Sequence, residues 1–199
     1  MRRLAADACV RCSFSRRQSD AFPASLCLEC LGREDDPVEV IRAWGSYAGP
    51  LEAAIQALKY RGHHFLADPL SELLHEAWCL DFSSGADLAL PVPLHPARQR
   101  DRGFNQAELL ARAFGRRTGL TVETRLLRKL RNTPPQARRS RAERLTGLSR
   151  AFLARPGVEG ADVLLVDDVC TTGATLRACA AALRKEGAAA VRAIVLARA

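Results

Sequence analysis

VLLVDDVCTTGAT, residues 163–175, sets the problem posed by this chain. Apolar residues run straight into two adjacent carboxylates, Asp167 and Asp168, and then into threonines and a glycine. Burying unpaired charge costs several kcal/mol, so the acid pair is expected at an exposed strand tip, where it meets water, a cation or a polar ligand. ADVLLV (161–166) lacks polar alternation and reads as a strand covered on both faces, and TLRACAAALRKEG (175–187) reads as a helix ending at Gly187. The acids then close a central strand, and Thr171, Thr172, Gly173 and Thr175 form the turn into the helix. Backbone N–H groups at a helix start, with threonine hydroxyls beside them, cradle a phosphate, and Gly173 lets the backbone approach it closely. A phosphorylated sugar with a free diol would satisfy carboxylates and cradle together.

Other phosphate sites fit poorly. A P-loop needs Gly-Lys followed by Ser or Thr, and no lysine follows a glycine here; a dinucleotide fingerprint needs GxGxxG, which TTGAT lacks. A strand ending in Asp-Asp also suits a Walker B element or a phosphorylation receiver, but no Walker A partner accompanies it.

Working outward, strands and helices alternate from Pro37 onward. VEVIRAWGSY (38–47) reads as a strand, and GPLEAAIQALKYRG (49–62) carries Leu51, Ile55 and Leu58 at helical spacing. LADPLSELLHEAWCL (66–80) is a second helix, ADLALPVP (86–93) a strand cut short by Pro91 and Pro93, and NQAELLARAFGRRTG (105–119) a helix stopped at Gly119. LTVETRLL (120–127) and VRAIVLARA (191–199) read as further strands. The pattern is an α/β domain with a largely parallel central sheet, whose ligands bind beyond the carboxyl ends of the strands. Residues 128–150 interrupt it: the segment holds Pro134, Pro135, one acidic residue, Glu143, and eight basic ones. A loop of this length inside a compact domain is usually functional or disordered, with a solvated basic loop as the plainer reading.

The N-terminal part has its own logic. CVRC (9–12) and CLEC (27–30) give two CxxC pairs, Cys9 and Cys12 with Cys27 and Cys30. Two such turns close a tetrahedral zinc site. Paired disulfides are the rival, and they suit a chain with an export signal, which the N-terminus does not display. Redox catalysis fits less well, because the motif occurs twice outside any βαβ unit. A closed four-thiolate site has no open position for substrate, so its work is folding. LGREDDPVE (31–39) is polar and turn-rich, which divides the chain into a zinc module, residues 1–36, and an α/β domain, residues 37–199. Cys79 and Cys179 are expected in the core, and Cys170 lies inside the opening stretch without a neighbouring base in sequence.

The 199 residues are 48% apolar and 26% charged, a globular composition. No apolar run approaches the roughly 20 residues that span a bilayer, so no membrane insertion and a cytoplasmic location are expected. The formal charge of +8 rests on arginine, since Lys59, Lys129 and Lys185 are the only lysines. Arginine's planar donors suit phosphate or nucleic acid, although an arginine bias also arises from genome composition.

VLLVDDVCTTGAT closely resembles the motif with which type I phosphoribosyltransferases bind 5-phosphoribosyl 1-pyrophosphate (PRPP). The wider layout is similar to the ComF family of competence-associated phosphoribosyltransferase-like proteins. Its marks are the paired CxxC motifs, LKYRG (58–62), PVPLHPARQRDRGFNQA (91–107), RNTPPQ (131–136) and the diacid loop, in that order. The resemblance implies a type I phosphoribosyltransferase-like fold preceded by a small four-cysteine zinc module. It implies that Asp167 and Asp168 bind the ribose hydroxyls of PRPP while Thr171, Thr172, Gly173, Ala174 and Thr175 hold its 5′-phosphate. Arg98, Arg102, Gly103 and Asn105 would form the pyrophosphate region, and the basic segment, with Arg131, Gln136 and Arg144, the flexible loop that closes the site. Zn2+ would be structural and Mg2+ would accompany PRPP. No general base and no pocket for an acceptor are recognisable.

Three functions follow as expectations. The first is a phosphoribosyltransferase that transfers or hydrolyses the phosphoribosyl group and releases pyrophosphate, associated by family with DNA uptake. The second is a competence factor that binds single-stranded DNA and works with DNA-uptake proteins; an aromatic content of 6% counts against it. The third is a PRPP-sensing regulator without turnover. The domain is compatible with a homodimer. Of Trp44, Trp78, His63, His64, His75 and His95, only His95 lies near the expected pyrophosphate loop; core packing or solvent exposure accounts for the others.

Overall fold

The computed structural model describes residues 8–14, 26–33, 35–81, 85–130 and 151–199. The expected closing-loop residues Arg131, Gln136 and Arg144 lie outside the described residues. Five strands form one parallel sheet: β1 (Ile41–Ser46), β2 (Leu88–Pro91), β3 (Thr121–Val122), β6 (Asp162–Cys170) and β7 (Ala190–Arg198). Their spatial order is β1, β7, β6, β2, β3, and β4 (Leu127–Lys129) pairs antiparallel with β5 (Phe152–Ala154) in a separate two-stranded sheet. The helices are α1 (Leu28–Leu31), α2 (Gly49–Tyr60), α3 (Ala67–Asp81), α4 (Pro96–Arg102), α5 (Gln106–Thr118) and α6 (Ala174–Lys185), with a 3₁₀ turn at His64–Leu66. This is the α/β fold with a parallel central sheet that the alternation predicts.

The two faces of β6 explain its unbroken apolar run. Leu164 and Val166 point to one core with Ile55 and Leu58 of α2, Leu74 of α3, and Leu110 and Phe114 of α5. Val163 and Leu165 point to the other, with Leu176, Cys179 and Leu183 of α6 and Phe152 of β5. Each such side chain contributes about 1.5–3 kcal/mol on burial, so a polar residue on either face would be costly. α5 lies so close to the sheet edge that a Cβ on Gly115 would stand 2.4 Å from Val122 Cγ2 and 2.9 Å from the Leu120 carbonyl oxygen.

Three expectations need correction. Residues 120–127 do not form one strand: β3 ends at Val122, and the chain then bends before β4 turns Leu127 into the core beside Phe152. The basic segment accordingly starts in regular structure, since Arg128 and Lys129 belong to the β4–β5 hairpin. Cys79 is exposed rather than in the core. It stands one turn after His75, with its Sγ 3.5 Å from His75 Nε2, on the solvent side of the last turns of α3.

The third concerns the acid pair. β6 does not stop at Val166. It stays paired with β7 as far as Cys170↔Arg198, whereas its pairing with β2 ends at Pro91↔Val166. Asp167 and Asp168 therefore sit where one neighbour has ended and the other continues, rather than at an exposed tip, and Asp168 is only 3% exposed. From β6 the chain runs through α6 to β7 on one side, while β2 leads through α5 to β3 on the other. That divergence makes the gap between β2 and β6 the switch point of the sheet, where open α/β sheets bind ligands.

The cysteine segment is docked along the free edge of β1. The Arg11 carbonyl accepts from Ile41 N at 2.7 Å, and Ser13 Oγ donates to the Ile41 carbonyl and accepts from Ala43 N. An unprotected edge strand invites pairing with other chains, and here it is covered.

Candidate functional site

Four elements bring their ends together at the switch point. After β2, Asn105 caps α5: its Oδ1 accepts from Ala107 N at 3.1 Å and its Nδ2 donates to the Val92 carbonyl at 3.0 Å. That buried amide is thus committed to holding the loop. His95 does the same for α4, its Nδ1 accepting from Ala97 N at 3.2 Å. Gly103 ends α4 with φ 83°, a left-handed turn that suits glycine. Arg98 and Arg102 of α4 line a cavity of about 710 Å³ together with Lys59, Tyr60, His64, Asp101, Gly103 and Phe104. Arg102 donates to Gln106 Oε1 and lies 5.0 Å from the centroid of the Tyr60 ring.

Lys59, at the end of α2, joins that cavity to the acid pair. Its Nζ is 3.0 Å from Asp168 Oδ2, with side-chain exposures of 16% and 4%. Among the described residues, none donates a hydrogen bond of ordinary geometry to Asp168 Oδ2, and the Lys59 ammonium charge compensates it. Asp167 Oδ1 accepts from Asp168 N at 2.9 Å. Burial, and then the Asp168 charge, push the Asp167 carboxyl up to about 8; that hydrogen bond and the charges of Lys59 and Lys129 pull the other way without cancelling the rise. Burial also lowers Lys129, on β4, with Arg98 adding to the fall while Cys179 and Asp167 oppose it. Lys59 and Lys129 are functional candidates that reading the sequence for motifs alone passes over. The available signal was LKYRG together with the scarcity of lysine in a chain this rich in arginine.

Beyond the acids, Thr171 and Thr172 are exposed, and Gly173 has φ 75° before α6 begins. Thr172 Oγ1 accepts from Ala174 N at 3.3 Å. The first turn of α6 contains no carboxylate and its N-cap is a glycine, so beyond Ala174 N the first-turn N–H groups have no intrahelical partner and suit an anion. Thr171, Thr172, Gly173, Ala174 and Thr175 thus form one loop directly after the acid pair; they do not line the cavity of Arg98 and Arg102, and the Lys59–Asp168 pair stands between the two. Cys170 is buried and burial raises its thiol; Cys179, fully buried, is raised well above the ordinary range for the same reason. Neither is placed as a nucleophile. Trp44 donates to Glu76 Oε2 and Trp78 packs edge-on against Phe114, both structural contacts.

The other cluster is formed by the cysteines. The Sγ atoms of Cys9, Cys12, Cys27 and Cys30 all lie within 4.8 Å of one another, and those of Cys12 and Cys27 are 3.7 Å apart. Zinc–sulfur bonds of about 2.3 Å in a tetrahedron put sulfurs about 3.8 Å apart, so the donor set fits a structural zinc. The hydrogen bond with Cys9, and then burial, push the Cys12 thiol up, and burial pushes up Cys30. A cation is what would let all four become thiolates.

A parallel sheet with an acid pair and a threonine–glycine turn at its switch point fits a phosphoribosyltransferase-like domain, and the family model for the phosphoribosyl transferase domain matches residues 101–199. Competence protein F of Haemophilus influenzae is 31% identical over 210 residues, covering 94% of this chain and 90% of that protein. The DNA utilization protein YhgH of Salmonella typhimurium is 31% identical over 182 residues, covering 89% and 80% respectively. Competence protein ComFC of Bacillus subtilis is 28% identical over 145 residues, covering 73% and 58%. The chain belongs to the ComF family. No helix among the described residues is long and apolar enough to cross a membrane.

Proposed function

We propose that the protein binds PRPP across the gap between β2 and β6 and transfers or hydrolyses its phosphoribosyl group, releasing pyrophosphate. One observation carries this reading: the acid pair and the glycine-turned start of α6 lie beside a cavity in which three cations, Lys59, Arg98 and Arg102, outnumber one carboxylate, Asp101. The loop 171–175 would hold the 5′-phosphate through N–H groups and threonine hydroxyls, and Asp167 and Asp168 would accept from the ribose hydroxyls. The arginines and Lys59 would receive the pyrophosphate. In the reaction the bond from C1 to the pyrophosphate oxygen breaks and its electron pair leaves with pyrophosphate, while an acceptor lone pair forms the new bond to C1 and the acceptor loses a proton. Positive charge on the sugar and negative charge on the leaving group grow together, so fixed cations beside the leaving group lower the barrier. Mg2+ bound with PRPP would supply further neutralisation of the leaving oxygens. The cysteine module, taken as residues 1–36, would hold structural zinc beside the domain of residues 37–199.

The test is calorimetric titration of Mg2+-PRPP into the intact protein and into an Asp167→Asn/Asp168→Asn variant, with released pyrophosphate followed in the same samples. Saturable binding by the intact protein, weakened at least tenfold in the variant, is the expected result. A folded, zinc-loaded protein that neither binds nor consumes PRPP would overturn the reading.

A second reading, single-stranded DNA binding, has a specific observation in its favour. Tyr60 on the cavity rim is 68% exposed and Phe65, a few residues on, is 69% exposed. Exposed rings beside arginines suit stacked bases and a phosphate backbone. The names of the relatives, competence and DNA utilization proteins, agree with it. If PRPP controls such binding without turnover, DNA affinity must change when PRPP is added; equal affinity with and without PRPP removes the sensor reading.

A further inference from the structure

The loop after the acid pair is held from below by a buried arginine that neither motif contains. Arg177 lies on α6 and is 9% exposed. Its Nε donates to Asp36 Oδ2 at 2.8 Å, and its Nη1 donates to the Thr172 carbonyl at 2.7 Å. The partners of this ion pair are 141 residues apart in sequence, with side-chain exposures of 10% and 2%. The fit is close: a Cβ on Gly173 would stand 2.6 Å from Arg177 Nη1 and 3.3 Å from Ile41 Cδ1.

Asp36 is itself held by its own turn, in a stretch of chain that the cysteine segment braces. Its Oδ1 accepts from Val38 N at 3.2 Å, and just upstream Arg11 Nη1 donates to the carbonyls of Cys30, at 3.3 Å, and Arg33, at 2.6 Å. A second strut runs in parallel. Arg198 donates from Nη1 to the Cys170 carbonyl at 2.9 Å, and its guanidinium lies 5.3 Å from the ring centroid of Phe14, which follows the first cysteine pair. Both ends of the loop from Cys170 to Gly173 therefore rest on arginines that also reach residues preceding β1, Phe14 and Asp36.

We propose that Arg177, oriented by Asp36, is a positioning residue that sets the backbone geometry of the Thr171–Thr175 loop. The proposal rests on the reading of that loop as the phosphate cradle, but its structural half stands apart from it. Two donors of one rigid fork act in two directions, one towards the carboxylate and one towards the loop carbonyl. Lysine, a single point charge on a flexible stem, can keep the ion pair but not both directions. Arg177→Lys therefore separates a role in loop geometry from a role in mere stability.

The experiment compares intact zinc-loaded protein with Arg177→Lys, Arg177→Met and Asp36→Asn. Backbone 15N relaxation is measured on residues 171–175 without ligand, together with thermal midpoints and Mg2+-PRPP titrations. In Arg177→Lys, lower order parameters confined to 172–174 are expected, with a thermal midpoint close to that of the parent and PRPP affinity reduced about tenfold. Arg177→Met and Asp36→Asn should show the same local loosening with a larger loss of midpoint. Unchanged order parameters in all three variants would overturn the proposal, as would affinity losses that simply track the midpoint. If the parent binds no PRPP while the loop loosens as expected, the phosphate reading fails and the positioning role stands.

Discussion

Asp167 is the residue at which the site's electrostatics can be read most directly. Burial and the neighbouring Asp168 charge raise its carboxyl to about 8 from an ordinary value of 3.8. Between those values the folded state holds a proton that the unfolded state has lost, so this group's contribution to stability falls as pH rises through that window. Asp167→Asn cannot ionise and escapes the penalty. Thermal scans should find the variant close to the parent near pH 4 and more stable than it near pH 8.5, by about 1 kcal/mol, a common size for a single substitution, even though its PRPP affinity drops. A variant less stable at both pH values would contradict the stated burial of charge. Substituting Lys59 is expected to destabilise. Removing it leaves the Asp168 carboxylate buried without compensation, which typically costs about 3 kcal/mol. Lys59→Met should show that loss in urea unfolding near neutral pH, and adding Asp168→Asn should recover much of it; additive losses in the double variant would mean the 3.0 Å contact is energetically idle.

At the scale of elements, the cysteine segment and β1 are a unit. Cys9, Cys12 and Cys30 are each at most 3% exposed and share a core with Ile41 and Ala43, while the chain around them bonds the outer edge of β1. A structural zinc in such a small segment supplies folding free energy on the order of 10 kcal/mol. Elemental analysis should find one zinc per chain, and chelation should raise amide exchange at residues 8–14, 26–33 and 39–43 while β6 and β7 keep their protection. Uniform loss of protection would show that the sheet cannot stand without the module. How much of these elements was legible in sequence follows from how local their causes are. The strand–acid–turn–helix unit from Asp162 to Lys185 was readable, because apolar continuity, glycine and helical spacing are properties of neighbours. The extension of β6 through its acids was not, because β7 alone keeps that end paired. The split between β3 and β4 was hidden for a related reason: LTVETRLL has strand-like residues throughout, and only its partners, Leu88 and Ala89 for one half and Ala154 for the other, show which half belongs to which sheet. Lys59 and the Asp36–Arg177 pair bind partners far away in the chain, and no spacing rule reaches them.

For the molecule as a whole, the formal charge of +8 invites a nucleic-acid reading, but charge alone gives attraction without a site. Among the described residues, Lys59, Arg98 and Arg102 line one cavity together with Tyr60 and Asp101. If single-stranded DNA uses that cavity, its backbone competes with the pyrophosphate of PRPP for the same three cations. Each phosphate neutralised on a single strand contributes about −0.7 to the slope of log affinity against log salt, so three contacts give a slope near −2. Anisotropy titrations of a labelled oligonucleotide over a range of salt should show that slope, and Mg2+-PRPP should displace the strand. Phe65→Ala should weaken the oligonucleotide about fivefold or more, since a stacked base is worth about 1–3 kcal/mol, and should leave the PRPP titration unaltered, because Phe65 is not among the residues that line the cavity. A slope of this size without displacement by PRPP would move DNA to another basic surface. A slope near zero would instead mean that the arginines serve the sugar phosphate alone.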